Sequence, residues 1–304
     1  MLYFLDRLVD HGAFFPTGQR MIHHYQTSDG ITQYVAVQGH GSPIIFLHGW
    51  TSSHREWVGY AEPLSDQFST YCWDARGHGA LNQPPESPVD VQRMAEDLSD
   101  LLVHFDLHRA ILVGHSMGAL TSWEYIRRYG CDRLCGLVIV DQSPKLITEE
   151  EWPHGIYGAF SDEKNRHFIA RCEADFAEAV LSLVGEGNNP AARAEYTSGS
   201  ERLQRIRSYL QQVSPQPLIE IWRSLTLQDY RSVLTEITVP TLIIHGDESH
   251  FYSVEVAEYL HQRIPQAQLH VYEGTDHSPH LWQRDRFLQD LRTFAQQCSG
   301  RNQR

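Results

Sequence analysis

The chain has 304 residues, of which 41% are hydrophobic, and a formal net charge of −13 at pH 7. This length and composition predict one large domain with a sizeable core, alone or with an inserted subdomain. The charge argues against nucleic acid and anionic membranes as partners, because phosphate groups are bound by clustered Lys and Arg, and the 25 basic residues here are scattered.

The N-terminal segment, MLYFLDRLVD, does not read as a secretory signal, because Asp6 and Asp10 interrupt its apolar residues and no basic region precedes them. No apolar run approaches the ~18 residues that a membrane span needs. Five loosely spaced cysteines favour reduced thiols and a cytoplasmic protein. Cys131 and Cys135 are interpreted as small buried side chains near the start of a strand, not as metal ligands, since no second pair accompanies them.

Residues 1–20 precede the predicted sheet and are treated as an N-terminal arm. Leu5, Leu8 and Val9 have the spacing of a short amphipathic helix. Such a helix packs either on the body of the protein or on a second subunit, so a homodimer stays open as an expectation.

After this arm, short apolar segments alternate with helical patterns. Strands are predicted, in chain order, at 32–38, 44–48, 68–73, 110–113, 137–140, 241–244 and 268–272. Helices are predicted at 90–105, 117–129 and 285–297, where apolar residues recur at helical spacing. This alternation predicts an α/β fold with a mostly parallel central sheet and helices on both faces.

The alternation stops between residues 144 and 238, where a helical pattern is interrupted by Gly and Pro. This stretch lies between two predicted sheet strands, so it is predicted to be an inserted helical cap, with the core at 21–143 and 239–304. A surface excursion without a role is the alternative. Its aromatic residues favour a cap that covers a site: Trp152, Tyr157, Phe160, Phe168, Phe176 and Trp222.

The strongest motif is GHSMG at 114–118, which matches G-x-S-x-G. A predicted strand precedes it and a predicted helix follows it, and its glycines permit a sharp turn with Ser116 at the apex. The helix N-terminus beside the serine favours developing negative charge. Ser116 is therefore the candidate nucleophile of a serine hydrolase.

A serine hydroxyl needs a base to take its proton, and folds with this motif place the residues in the order Ser, acid, His. His277 comes directly after the turn that follows the predicted strand 268–272 and is the candidate base. His280 is the competitor and is interpreted as the start of the last helix or as a residue lining the site. The two histidines are not predicted to bind a metal, because no third ligand is indicated.

Four segments together resemble the α/β-hydrolase superfamily. They are HGW at 48–50, DARGHG at 74–79, GHSMG at 114–118 and DH at 276–277. The resemblance covers roughly residues 20–145 and 235–298, and the most similar branch contains arylesterases, cofactor-free haloperoxidases, lactonases and carbon–carbon bond hydrolases. The resemblance implies an oxyanion hole formed by the backbone N–H groups of Trp50 and Met117. The DARGHG segment is interpreted as a structural turn.

The acid departs from the family's commoner pattern. That pattern is Gly-x-x-Asp, but the segment here is GDES at 246–249, so Ser249 holds the expected position. Asp141 ends another predicted strand, 25 residues after Ser116, and some superfamily members, such as certain haloalkane dehalogenases, carry the acid there. Strand ends at this edge of the sheet face the site. Asp141 is therefore favoured and Asp247 is the alternative, while a capping role remains the other interpretation of Asp141.

These residues predict hydrolysis of a carboxylic ester, or a close acyl substrate, through an acyl-enzyme on Ser116. The alternatives on the same residues are a thioesterase or lactonase, a carbon–carbon bond hydrolase, and a cofactor-free haloperoxidase or oxygenase. A pure binding protein is disfavoured because Ser116 and His277 are both present. No dinucleotide fingerprint and no metal cluster is visible, so no cofactor and no metal is predicted, and the expected partner is a small acyl substrate.

Overall fold

The computed structural model describes residues 21–82 and 89–300, so the predicted N-terminal arm lies outside the described residues. Within them, eight strands form one sheet in the order β1-β2-β4-β3-β5-β6-β7-β8. The strands are β1 Met21–Gln26, β2 Thr32–Gly39, β3 Ser42–Leu47, β4 Phe68–Trp73, β5 Ala110–His115, β6 Leu134–Val140, β7 Thr241–Gly246 and β8 Ala267–Tyr272.

The sheet is parallel from β4 through β3, β5, β6 and β7 to β8, and β2 runs antiparallel to both β4 and β1. Every residue of β5, β6 and β7 is buried. Their nearly continuous apolar sequences fit strands that are covered on both faces. The predicted mostly parallel sheet is therefore confirmed.

Strand β1 was not predicted from the sequence. Its residues are mostly exposed, and in the segment MIHHYQ only Tyr25 is buried. The outermost strand of a sheet pairs on one side only, so its sequence need not carry the apolar alternation that identifies an inner strand.

Helices precede or follow most of the strands and pack against the sheet. They are α1 Val58–Leu64, α2 Val91–His104, α3 Met117–Tyr129, α4 Asp162–Ala174, α5 Phe176–Gly185, α6 Pro190–Ser198, α7 Glu201–Leu210, α8 Pro215–Thr226, α9 Val254–Arg263, α10 Pro279–Trp282 and α11 Arg284–Gly300. Helix α1 contacts β2 and β4, α3 contacts β3, β5 and β6, α9 contacts β7 and β8, and α11 contacts β6.

Residues 144–238, here termed the inserted segment, contain helices α4–α8 between β6 and β7. Local sequence explains where four of these helices, α4–α7, begin. The side chains of Ser161, Asp175, Asn189 and Ser200 each accept a hydrogen bond from a backbone N–H of the helix that follows. Such caps satisfy N–H groups that have no partner within the helix, so each helix starts at its cap.

All five cysteines are free thiols. Cys135 lies buried within β6, and its Sγ donates to the Arg109 carbonyl at 2.8 Å. Every helix in the described part of the chain is too short or too polar to span a bilayer.

Candidate active site

The turn that carries Ser116 connects β5 to α3. Ser116 has φ 50° and ψ −114°, a strained conformation for a residue with a side chain. A Cβ atom at Gly114 would lie 2.5 Å from the Gly118 carbonyl oxygen, and one at Gly118 would overlap the Leu47 carbonyl. Both glycines are therefore required by close backbone approach, which presents Ser116 at the N-terminus of α3.

His277 lies buried in the loop between β8 and α10. Its Nδ1 is 2.8 Å from Oδ1 of Asp141. The ionised carboxylate accepts, so Nδ1 carries the ring proton and Nε2 is the unprotonated nitrogen. Burial lowers the pKa of His277 to about 4, despite the opposing effect of Asp141, so the imidazole is neutral at pH 7.

Asp141 follows β6 directly and has φ 45°. Besides His277, its Oδ1 accepts from the Ser249 hydroxyl at 2.8 Å, and its Oδ2 accepts from the Gly246 N–H at 2.9 Å. His245 Nδ1 lies 3.4 Å from Oδ2. Burial raises the pKa of Asp141, but these neighbours outweigh it and hold the pKa well below its usual range.

Asp247, the alternative acid, is turned away from the imidazole. Its Oδ1 accepts from the Gly274 N–H at 2.7 Å in an exposed turn. Ser249, at the position where the family pattern has its acid, contacts Asp141 instead. The structure therefore places Asp141, and not Asp247, beside His277. The contact between Ser249 and Asp141 was not anticipated from the sequence, because a lone serine in a loop carries no signal.

His280, the competing histidine, faces another carboxylate. Its Nε2 lies 3.0 Å from Oε1 of Glu56, and its ring stacks on Trp57 with centroids 4.7 Å apart. His115 also approaches Glu56, and the three donor atoms all lie within 4.8 Å of one another. This group is the candidate metal-binding set in the described part of the chain, and sequence reasoning missed it because Glu56 lies far from both histidines along the chain.

The two predicted oxyanion donors come from different segments. Trp50 lies in the turn after β3, and Met117 is the first residue of α3. Across residues 21–82 and 89–300, neither backbone N–H has a backbone or side-chain acceptor. The first N–H groups of a helix have no acceptor within the helix, so the Met117 donor is available to a ligand.

Aromatic residues of the inserted segment surround the Trp50 side chain. Trp222, Phe176 and Phe168 lie with ring centroids 4.7, 5.8 and 6.3 Å from Trp50, whose Nε1 donates to the Leu218 carbonyl at 2.9 Å. These contacts connect α4, α5 and α8 to the loop that holds one predicted oxyanion donor.

The other predicted aromatic residues divide between two places. Tyr157 stacks on Phe251 at 5.8 Å, and Phe251 lies 4.6 Å from the His277 ring. Trp152, in contrast, packs on Tyr259 of α9 at 4.9 Å, outside the cluster around Trp50. Tyr157 therefore lies near Phe251 and His277 while Trp152 packs on α9, and the covering role of the inserted segment stays a prediction.

Comparison with known proteins agrees with this architecture. A family model described as alpha/beta hydrolase fold matches residues 42–283. The chain is 28% identical over 276 residues to the non-heme chloroperoxidase CPO-A1 of Kitasatospora aureofaciens, covering 88% of this chain and 97% of that protein. It is 26% identical to a pimeloyl-(acyl-carrier protein) methyl ester esterase of Vibrio campbellii, covering 84% of this chain and 96% of that protein.

Among solved structures, a bromoperoxidase from Bacillus anthracis superposes with a TM-score of 0.79 at 26% identity, covering 91% of this chain and 100% of that chain. The family model spans most of the sheet, the Ser116 turn and the loop of His277. The predicted resemblance is confirmed: this chain belongs to the alpha/beta-hydrolase family.

Proposed function

We propose that the protein is a serine esterase that cleaves a carboxylic ester through an acyl-enzyme on Ser116. The observation that carries this proposal is the 2.8 Å contact between His277 Nδ1 and Asp141 Oδ1. This contact lies at the carboxyl ends of the parallel strands, where the strained turn of Ser116 also lies. A nucleophile, a base and a group that orients the base are the parts that acyl transfer needs.

Acylation follows from the protonation states. Asp141 holds the proton on Nδ1 of His277, so Nε2 is the basic nitrogen. Nε2 removes the proton from the Ser116 hydroxyl as its oxygen attacks the ester carbonyl. The buried Asp141 carboxylate then stabilises the imidazolium that forms.

The carbonyl oxygen becomes negatively charged in this step. The N–H groups of Trp50 and Met117 are the proposed donors to it, and each such donor contributes roughly 10²–10³ in rate. His277 next gives its proton to the leaving alcohol. A water molecule then loses a proton to His277, attacks the acyl group on Ser116 and releases the carboxylic acid, so water is the only co-substrate.

The relative named as a methyl ester esterase supports ester hydrolysis. The relative named as a non-heme chloroperoxidase favours a second candidate on the same residues. Hydrogen peroxide in place of water would release a peracid from the acyl-enzyme. The peracid would oxidise a halide to hypohalous acid and return to the carboxylic acid. Acetate-dependent halogenation of a dye, absent in Ser116→Ala, would distinguish this activity.

The decisive experiment for the esterase is labelling with an organofluorophosphonate, followed by intact mass and peptide mapping. We expect one adduct per chain, located on Ser116, together with turnover in a panel of acyl esters, thioesters and lactones. A folded protein that takes up no label, or takes it up at another residue, contradicts the assignment of the nucleophile. Label on Ser116 with turnover of lactones or thioesters alone keeps the mechanism and changes the substrate class.

A further inference from the structure

One buried carboxylate, Glu56, contacts several loops near the proposed catalytic residues. Its side chain has no exposed surface. Oε2 accepts hydrogen bonds from the Gly49 N–H at 3.0 Å and from the Ser52 hydroxyl at 2.9 Å. Oε1 lies 2.6 Å from His115 Nδ1 and 3.0 Å from His280 Nε2. A buried carboxylate is costly unless it is paired, and Glu56 is paired on both oxygens.

These contacts reach each part of the proposed mechanism. Gly49 precedes Trp50, the first oxyanion donor, and His115 precedes Ser116, the nucleophile. The other ring nitrogen of His115, Nε2, lies 2.9 Å from the carbonyl oxygen of His277. Glu56 therefore connects, directly or through His115, to the backbone of all three segments.

The positions of the protons on His115 follow from its neighbours. The His277 carbonyl can only accept, so His115 Nε2 carries a proton. His115 Nδ1 lies 2.6 Å from Oε1 of Glu56, which is closer than two atoms that can only accept approach each other. Burial raises the pKa of Glu56, but its contacts with His115 and His280 outweigh burial and hold the pKa well below its usual range, so Glu56 is a carboxylate.

The distances fit a proton better than a metal ion. Two ligands of a tetrahedral zinc ion are separated by about 3.3 Å when each bond is near 2.0–2.1 Å. The 2.6 Å between His115 Nδ1 and Glu56 Oε1 is shorter than this separation. The group of Glu56, His115 and His280 therefore fits a cluster of directly contacting polar side chains better than a metal centre.

We propose that Glu56 is a positioning residue, which sets the geometry of the Trp50 N–H, the Ser116 turn and His277 through its contacts with Gly49 and His115. This inference rests on the proposed esterase function. Glu56 touches neither substrate nor the reacting atoms, so its role is exerted through the residues that it holds.

This role has an electrostatic consequence for His277. The His115 ring lies 4.9 Å from the His277 ring, and its charge lowers the pKa of His277. Glu56 contacts Nδ1 of His115, whereas the His277 carbonyl contacts Nε2. The His115 ring therefore lies between Glu56 and His277 and is closer to His277 than Glu56 is. A Glu56 variant in which His115 no longer carries a positive charge should therefore have a higher pKa at His277, and the acidic limb of kcat/KM should move to higher pH.

Other titratable groups also face His277 or its partner Asp141, and one of them, His280, contacts Glu56 as well. They are Asp141 after β6, His245 at the end of β7, His250 and Tyr252 in the loop before α9, and Asp276 and His280 beside His277 in the chain. Because His280 also loses its contact with Glu56, a shift of the acidic limb is assigned to His115 only if His115→Gln gives the same shift as Glu56→Gln.

The test compares Glu56→Gln with Glu62→Gln, which removes a carboxylate from a partly exposed position of α1. Turnover of a chromogenic ester is measured from acidic to neutral pH, and the rate of organofluorophosphonate labelling is measured on the same proteins. For Glu56→Gln we expect kcat to fall about 10²-fold with little change in KM, because a misplaced oxyanion donor acts mainly in the transition state. Glu62→Gln should match the unmodified protein.

The acidic limb of the kcat/KM profile is the measurement that a purely structural role of Glu56 would not change. We expect it to move up by about half a pH unit or more in Glu56→Gln. Glu56→Asp keeps the charge on a shorter side chain, so its acidic limb should lie between those of Glu56→Gln and the unmodified protein. If Glu56→Gln does not fold, His115→Gln supplies the same readout, since it removes the charge and keeps an amide donor for the His277 carbonyl.

The outcomes separate this inference from the function on which it rests. If the unmodified protein is not labelled at Ser116, the esterase proposal fails. If it is labelled, and folded Glu56→Gln is labelled and turns over at the same rate with an unmoved acidic limb, the positioning role alone is overturned.

Discussion

The carboxyl ends of the parallel strands, here called the sheet edge, and the inserted segment are fixed by different kinds of interaction. At the sheet edge, Ser116 and Asp141 have φ values of 50° and 45°, which most residues avoid. Such strain persists only where the surroundings determine the conformation, as the close approach of backbone around Gly114 and Gly118 does for Ser116. Four of the five helices of the inserted segment, α4–α7, begin instead at ordinary side-chain caps, although Tyr157 in the same segment also has a positive φ of 58°.

This difference indicates a division of labour within one chain. The sheet edge holds chemical groups in positions that tolerate little change. The inserted segment meets that edge through aromatic contacts with Trp50 and Phe251, which tolerate apolar replacement. We therefore expect substitutions at the sheet edge to abolish turnover, and substitutions in the inserted segment to change which ester is preferred.

The largest effect is expected for Ser116→Ala. Loss of the nucleophile should lower kcat by about 10⁶-fold, since the catalytic residues act as a unit. Turnover of an ester and the thermal unfolding midpoint are measured together, and the midpoint should stay close to that of the unmodified protein. Residual activity above about one-hundredth would mean that another residue attacks the ester.

The next effect separates the two aspartates. Asp141→Asn should lower kcat by about 10⁴-fold, because an amide no longer holds the correct tautomer of His277. Asp247→Asn should change kcat little, because the amide oxygen of Asn can still accept from the Gly274 N–H. Steady-state kinetics of both variants checks the ranking. The reverse ranking would remove Asp141 from the mechanism despite its contact with His277.

A moderate effect is expected in the inserted segment. Phe176→Leu changes the contact with Trp50, so it should shift the ratio of kcat/KM between short and long acyl esters by about tenfold. The matched control is Phe294→Leu, a buried residue of α11 that packs near Gly136 in β6. Equal effects of the two substitutions would show that Phe176 acts through general stability and does not influence substrate choice.

The smallest effect is the pH dependence near neutrality. The protonated form of His277 cannot act as a base, and burial lowers the pKa of this residue to about 4. The ratio kcat/KM should therefore be nearly flat from neutral pH down to about pH 5 and should fall as the pH decreases through about 4. A half-maximal value near pH 6.5, the ordinary pKa of histidine, would show that the base is solvated during catalysis.

Several features could not be predicted from the sequence because they depend on contacts between distant residues. Glu56 is a single carboxylate in the segment HREW, and nothing local shows that it meets His115 and His280. Nothing in the sequence around Ser249 indicates its role. Its hydroxyl contacts Asp141 because β6 and β7 are paired in the sheet. Trp152 shares its residue type with Trp222 but packs on Tyr259 of α9 and not on Trp50.

The sequence by itself determined the parallel sheet and the turn of Ser116, because apolar periodicity and the glycines of a tight turn are local properties. It also determined that His277 follows the last strand. Only the tertiary structure decided which carboxylate lies beside His277. Asp141 and Asp247 both follow strands that are neighbours in the sheet, so their order in the chain does not separate them. In the folded chain the Asp141 carboxylate contacts the imidazole, whereas the Asp247 carboxylate accepts from the Gly274 N–H.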